Sequence, residues 1–185
     1  MVELLTDRLR LRRWRDGDAD ALAAINADPE VMRWIDDGSV RDRAATGAEI
    51  AASERLWRDR GFGRFAVEIR DTGELAGLTG MAVPDDVPEV MPAVEIGWRF
   101  AREHWGRGFA TEAARAALRF AFTDAGLDRL VGVHVVGNDA SARIMLKLGM
   151  RFQLATTEIV YRRPVHVYAI GRPQPPDEPA EQGPS

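Results

Sequence analysis

Two glycines two residues apart, Gly106 and Gly108, stand between a strand-like run at residues 93–100 and a long Ala/Leu/Phe helical pattern. Strand, glycine loop and helix N-terminus in that order make an anion site. Glycine lets the backbone approach a ligand closely, and the first-turn N–H groups of a helix have no partners of their own. The expected guest is a phosphate or pyrophosphate, held mostly by the backbone of residues 106–110, with Arg107 adding a screened charge. No Lys-Ser/Thr follows the glycines, so this is not a nucleotide-hydrolysing P-loop. The third glycine of a dinucleotide fingerprint is also missing.

The strand before the loop carries a carboxylate, Glu95, among Val94, Ile96, Trp98 and Phe100. In strict alternation those four share one face, which leaves Glu95, Gly97 and Arg99 on the other. A carboxylate in an otherwise apolar central strand is costly to bury unless paired, and burial raises its pKa towards a range useful for taking a proton. Glu95 is therefore the leading candidate for a general base. The alternative is a structural ion pair with Arg99. Glu68 is the rival base, but Arg70 lies on the same face of its strand, which favours a solvated cross-strand pair.

Asn138 and Ser141 open a helix after a near-continuous apolar run at residues 130–136, and Asn138 is the expected N-cap. Other chemistries find no footing. Cysteine is absent, which excludes a disulfide scaffold and a thiol nucleophile. His104, His134 and His166 are scattered without metal-ligand spacing, so no metal is expected. His104 reads as a surface residue and His134 as a satisfied core histidine. No Gly-x-Ser-x-Gly elbow is present for a serine nucleophile.

The run Trp105-Gly106-Arg107-Gly108-Phe109-Ala110 resembles the cofactor motif of the GNAT superfamily of acyl-CoA-dependent N-acyltransferases, Gln/Arg-x-x-Gly-x-Gly/Ala, at all but its first position. The continuation through Thr111, Glu112 and Ala113 looks most like the branch that holds the ribosomal-protein N-terminal acetyltransferases. A second block, Asn138 to Ser141 and then Lys147 to Met150, follows in the family's order, and the resemblance spans roughly residues 3–171. It implies acetyl-CoA as donor, with its pyrophosphate on residues 105–111 and its pantetheine arm beside the backbone of Phe100 and Ala101 and beside Asn138. It also implies direct attack of an amine on the thioester, with Glu95 as base and a backbone N–H near Trp98 to Phe100 holding the oxyanion. The family's usual proton-donating tyrosine falls at Met145, which cannot donate. Ser141, one turn earlier on the same face, or water, is left as the acid. The acceptor is expected to be a peptide or protein N-terminus. A small antibiotic or polyamine acceptor, or a CoA-binding module without turnover, are the alternatives.

These groups need a mixed α/β frame to hold them. Alternation and capping signals predict a first strand at 5–14, a helix capped at residues 16–18 with its stripe at Ala21, Leu22 and Ile25, helices at 31–35 and 41–60, and a hairpin of 62–70 with 75–83. A Pro/Asp/Glu-rich loop follows at 84–92, then the strand at 93–100, a helix at 108–125, the strand at 130–136 and a short helix to 148. Two returning strands at 151–159 and 164–171 complete the sheet. This is α/β (α+β), mostly antiparallel with a parallel pair around the cofactor site, as the resemblance also implies. Trp34 and Trp57 are candidates to wall the acceptor pocket, and Asp85, Asp86 and Glu89 to make an acidic rim. The 185 residues read as one domain at 1–172 and a disordered Pro/Glu/Gln/Gly-rich tail at 173–185. The net charge of −4 speaks against nucleic acid and mildly for a cationic substrate. No signal peptide or membrane span is evident, so the cytoplasm is the expected location, with a homodimer left open.

Overall fold

The structure is a computed structural model that describes residues 2–173. The expected tail at 173–185 lies outside the described residues except for Pro173. An eight-stranded sheet runs in the order β1-β2-β3-β4-β5-β6-β8-β7. Its strands are β1 (Glu3–Leu5), β2 (Leu9–Arg12), β3 (Arg64–Ile69), β4 (Leu75–Ala82), β5 (Glu95–Phe100), β6 (Arg129–Val135), β7 (Arg151–Thr157) and β8 (Pro164–Gly171). Among the described residues five α-helices accompany it: α1 (Asp18–Asn26), α2 (Pro29–Met32), α3 (Arg43–Arg60), α4 (Phe109–Thr123) and α5 (Asp139–Lys147). Every strand pairing is antiparallel except β5 with β6.

The single expected first strand is two. Thr6 turns the chain, its N–H donating to the Leu9 carbonyl at 2.9 Å and its Oγ1 accepting from the Leu9 N–H at 2.9 Å. The arginine face of β2 is not uniformly wet either. Arg12 is buried between Asp18 and Glu68, at 2.7 and 2.9 Å. Asp18 is thereby committed, and α1 starts on Gly17 with no side-chain cap.

Helix α4 lies against the sheet through Ala113, Ala114, Ala117 and Ala121, all fully buried. Side chains this small let a helix approach a sheet closely. At its far end Trp57 of α3, Phe65 of β3 and Phe120 of α4 form an aromatic cluster with centroids 4.8 to 5.6 Å apart. Truncating a buried aromatic such as Phe120 to alanine costs about 3–5 kcal/mol, enough to loosen the helix that begins at the glycine loop. Trp57 is thus a core residue and does not wall a pocket. Helix α1 covers the opposite face, where Leu22 and Ile25 meet Leu78 and Ala101. Among the described residues no helix is long and apolar enough to cross a membrane.

Candidate active site

The parallel pair splays. β5 and β6 share a single register pair, Glu95 with Val131, and the Val131 N–H donates to the Val94 carbonyl at 2.9 Å. Beyond that point the C-terminal halves of the two strands part, and two cavities fill the opening. They meet at Trp34, Ile35, Trp98, Arg99, Asn138 and Ser141, which line both.

The larger cavity, about 340 Å³, is bounded by the glycine loop. Gly106 and Gly108 adopt φ of 73° and 82°, the left-handed region that an L side chain enters at a cost. Gly108 is the N-cap of α4 and supplies no side-chain hydrogen bond, so the first N–H groups of that helix stay available for an anion. A carboxylate in the first turn, Glu112, would repel such a guest, but it is occupied. Thr6 Oγ1 donates to it at 2.6 Å and Arg8 Nε at 2.7 Å. Arg8 also donates from Nη1 to the Arg107 carbonyl at 2.9 Å, tying the N-terminal strands to the loop.

Trp105, Gly106, Gly108, Phe109, Ala110 and Thr111 all line this cavity. Arg107 does not, because its guanidinium stacks 4.6 Å from the Phe109 ring centroid and contacts His104 Nδ1 at 3.2 Å. Phe100 lines the cavity, but its carbonyl already accepts from Trp105 Nε1 at 2.9 Å. The Ala101 N–H is spent on the Ala76 carbonyl at 2.9 Å, and Ala101 does not reach the cavity. The strand edge at these two residues is therefore less open to a pantetheine arm than expected. His104 is buried, not on the surface, with Nε2 3.2 Å from Glu74. Glu74, Glu103 and His104 bring possible metal ligands within 4.8 Å of one another, yet both imidazole nitrogens already have protein partners.

The second cavity, about 170 Å³, holds Glu95. Desolvation pushes the Glu95 carboxyl up to about 7; the cation of Arg64 opposes that rise, and the neighbouring Asp86 adds to it. Asp86 is itself raised, first by burial. The ion pair of Glu95 with Arg99 does not form. Arg99 Nη1 instead donates to Asn26 Oδ1 at 2.7 Å and to Glu49 at 3.0 Å. Glu49 also takes Arg41 at 2.7 Å and Arg64 at 2.8 Å. Burial works to raise the Glu49 carboxyl, and the three guanidiniums outweigh it and hold the group at about 2.

Two loops close this cavity. Glu158 organises the one between β7 and β8 by accepting N–H bonds from Val160, Tyr161 and Arg163. Arg163 then donates to the Asp36 and Arg33 carbonyls at 2.8 and 2.9 Å, joining that loop to the one after α2. Glu68 lies outside both cavities, fixed by Arg12 at 2.9 Å and Arg10 at 3.4 Å. Glu89 accepts from Thr156 Oγ1 at 2.5 Å and Asp85 is exposed, so of the expected acidic rim Asp86 alone lines the cavity.

Asn138 caps α5, its Oδ1 accepting from the Ser141 N–H at 3.2 Å. The cap places Ser141 where the two cavities join, while Met145 is buried against Gly132. His134 is buried but only half satisfied. Its Nδ1 meets the Val135 carbonyl at 2.9 Å and its Nε2 has no partner among the described residues. Burial lowers its pKa, which favours the neutral ring.

A profile of the Acetyltransferase (GNAT) domain matches residues 8–151. The chain belongs to the GNAT acetyltransferase family. It is 30% identical over 175 residues to the uncharacterized N-acetyltransferase YoaA of Bacillus subtilis (strain 168), covering 92% of this chain and 97% of that one. The crystal structure of an acetyltransferase from Agrobacterium tumefaciens str. C58 superposes with a TM-score of 0.76 at 27% identity, over 91% of this chain and 94% of the other. RimL, a ribosomal L7/L12 alpha-N-protein acetyltransferase solved in complex with coenzyme A, superposes with a TM-score of 0.74, over 91% and 96% of the two chains. At 17% identity that last likeness speaks for the fold alone.

This GNAT enzyme is an N-acetyltransferase, and acetyl-CoA is its acyl donor. The cavity beside the glycine loop suits that donor. An uncapped helix N-terminus opens on it, and Val31, Ile35, Phe100 and Ile144 give it an apolar wall. What the sequence did not disclose is that Arg64 and Glu49 join Asp86 and Arg99 in a charged frame around Glu95. Asp86 stood in a segment already marked by its acidic composition. Glu49 left no signal, since a glutamate on a helix reads as a solvated one.

Proposed function

We propose that the enzyme acetylates a primary amine, with a peptide or protein N-terminus as its acceptor, by direct attack on the acetyl-CoA thioester. The observation that carries this reading is the position of Glu95 in a small, half-closed cavity whose inner end is the junction with the donor cavity. Acetyl-CoA supplies an activated acetyl thioester. The chain supplies a carboxylate near 7 that takes the amine proton, directly or through water. Ser141 at the junction, or water, returns a proton to the departing thiolate, and a backbone N–H near Trp98 to Phe100 stabilises the oxyanion. Trp34 and Trp98, on the wall common to both cavities, hold the acceptor.

An α-amine fits a base of this strength. Its pKa of about 7.7–8.0 leaves roughly a tenth or more neutral at pH 7, whereas a lysine amine near 10.4 is almost wholly protonated. The wording of the glycine loop, similar to that of N-terminal acetyltransferases, supports the same acceptor. One observation favours a small amine instead: the Arg163 bridge joins two loops beside a cavity of only about 170 Å³. Competition among short peptides with free or blocked N-termini, spermidine and an aminoglycoside decides between them. Free peptides are expected to win. Blocked peptides acetylated equally well, or a polyamine preferred tenfold in kcat/KM, would overturn the assignment.

A further inference from the structure

Arg64, Gly80 and Gly97 form one row across β3, β4 and β5, each opposite the next in the ladder. Opposed residues put their side chains on the same face of a sheet, and Glu95 and Arg99 flank Gly97 on that face. The two glycines leave the row without side chains, and a Cβ added at Gly97 would meet nothing within 4 Å. At Gly80 the backbone leading into β3 packs close to such a Cβ instead. Arg64 lines the same cavity as Glu95, with open space over Gly97.

The guanidinium is held in place. Its Nη1 donates to Glu49 Oε1 at 2.8 Å, while Arg41 and Arg99 occupy the other oxygen at 2.7 and 3.0 Å. Asp36 also pairs with Arg41, so three guanidiniums face two carboxylates and one positive charge is left over. The other charged groups around Glu95 are engaged elsewhere. Arg99 serves Asn26 and Glu49, Arg163 serves two carbonyls, and Glu158 accepts three backbone N–H groups. Burial of His134 on β6 favours its neutral ring, and Asp86 on the loop before β5 is an acid that discourages a second charge. Arg64 is the cation whose field favours ionised Glu95.

The geometry points to Arg64 as a positioning residue for the reaction: anchored on Glu49, it sets a fixed positive charge over the row of Gly80 and Gly97 and keeps Glu95 in its proton-accepting form. This rests on Glu95 as the base. Arg64 does not touch the reacting atoms. Its backbone has separate duties, the N–H donating to Ser53 Oγ at 2.9 Å and the carbonyl accepting from Trp14 Nε1 at 3.0 Å and Trp57 Nε1 at 3.2 Å. A side-chain substitution leaves all three bonds in place.

The test is a ¹³C carboxyl NMR titration of Glu95 in the full chain, its signal assigned by its loss in Glu95→Gln, compared among wild type, Arg64→Met and Arg64→Lys. Arg64→Met is expected to move the titration of Glu95 to higher pH by about one unit or more, because an opposite charge nearby is worth that much. The acid limb of kcat/KM should move with it, acetyl-CoA affinity should not change, and Arg64→Lys should restore most of the shift. Arg64→Gln serves the same purpose if the methionine variant melts early. An unmoved Glu95 titration in a folded variant overturns the proposal. So does a rise in acceptor KM alone, which would make Arg64 an acceptor contact. If instead Glu95→Gln keeps full activity, the base assignment fails, and the titration still reports whether Arg64 acts on Glu95.

Discussion

The indole Nε1 of Trp105 donates to the carbonyl of Phe100 at 2.9 Å. One side chain thereby fastens the glycine loop to the end of the splayed strand and bridges the turn between them. Trp105 stands where the family motif has Gln or Arg, and it remains 47% exposed. Its polar edge is the working part.

Trp105→Phe removes that donor and keeps the ring. A net hydrogen bond is worth about 1 kcal/mol, so the acetyl-CoA Kd should rise about fivefold if the bond preorganises the loop. Calorimetry reads it. Unchanged affinity would show that Gly106 and Gly108 hold the loop unaided.

Glu95→Gln should lower kcat/KM about 10²-fold, with the loss shrinking as pH rises and free amine appears. Its effect on stability has the opposite sign. The folded pKa of about 7 lies above the ordinary 4.5, so folded protein binds the extra proton between those values and wild type loses stability as pH rises through that window. The glutamine variant escapes this loss, at most roughly 3 kcal/mol. Melting curves at pH 5 and pH 8 should therefore diverge in favour of Glu95→Gln at the higher pH. Parallel curves would place the carboxylate in a wetter setting.

Ser141→Ala should reduce kcat about tenfold with little change in KM, since a bond to the thiolate strengthens as charge develops. The Asn138 cap uses the backbone N–H of Ser141, so it survives the substitution. A silent variant that still binds acetyl-CoA would leave water as the acid.

Gly97→Ala separates fold from function. Its backbone is outside the left-handed region and its Cβ would enter open cavity, so the variant should melt at or slightly above wild type, with alanine worth about 0.5–1 kcal/mol over glycine in a strand. The acceptor KM should nonetheless rise about tenfold or more if the methyl occupies acceptor space, because a buried clash of this kind costs about 1–3 kcal/mol. Steady-state kinetics at saturating acetyl-CoA checks it, and an unchanged KM would place the acceptor elsewhere.

Glu49→Gln strips three arginines of their shared carboxylate. Removing one member of a buried charge cluster costs about 3–5 kcal/mol, readable by denaturant titration at pH 7. Since Glu49 sits near 2 in the folded protein, its stabilisation is complete above the ordinary 4.5 and is lost as pH falls towards 2. Wild type should lose its advantage over the variant across that window. An equal gap at pH 3 and pH 7 would mean that other carboxylates govern acid unfolding.

Local pattern determined the glycine loop, the long helix behind it, the hairpin of β3 and β4, and the face of β5 that carries Glu95. Each follows from a period of two or 3.6, or from a cap, within a few residues of chain. Asn138 as N-cap is legible for the same reason. The break between β1 and β2 was hidden, because Thr6 and Asp7 turn the chain without glycine or proline. Period also says which face a side chain occupies and nothing about what waits there. Glu68 and Glu95 look alike in alternation, yet Arg12 and Arg10 close around one while a cavity opens before the other. Arg99 is four residues from Glu95 on the same face but pairs with Glu49, fifty positions away, because α3 sets its carboxylate over that face. His104 went inward for the same kind of reason, through Glu74 and Arg107, and Trp57 meets Phe65 and Phe120 instead of a pocket. Partner choice depends on strand register and on where helices land, and those are settled by packing across the whole chain.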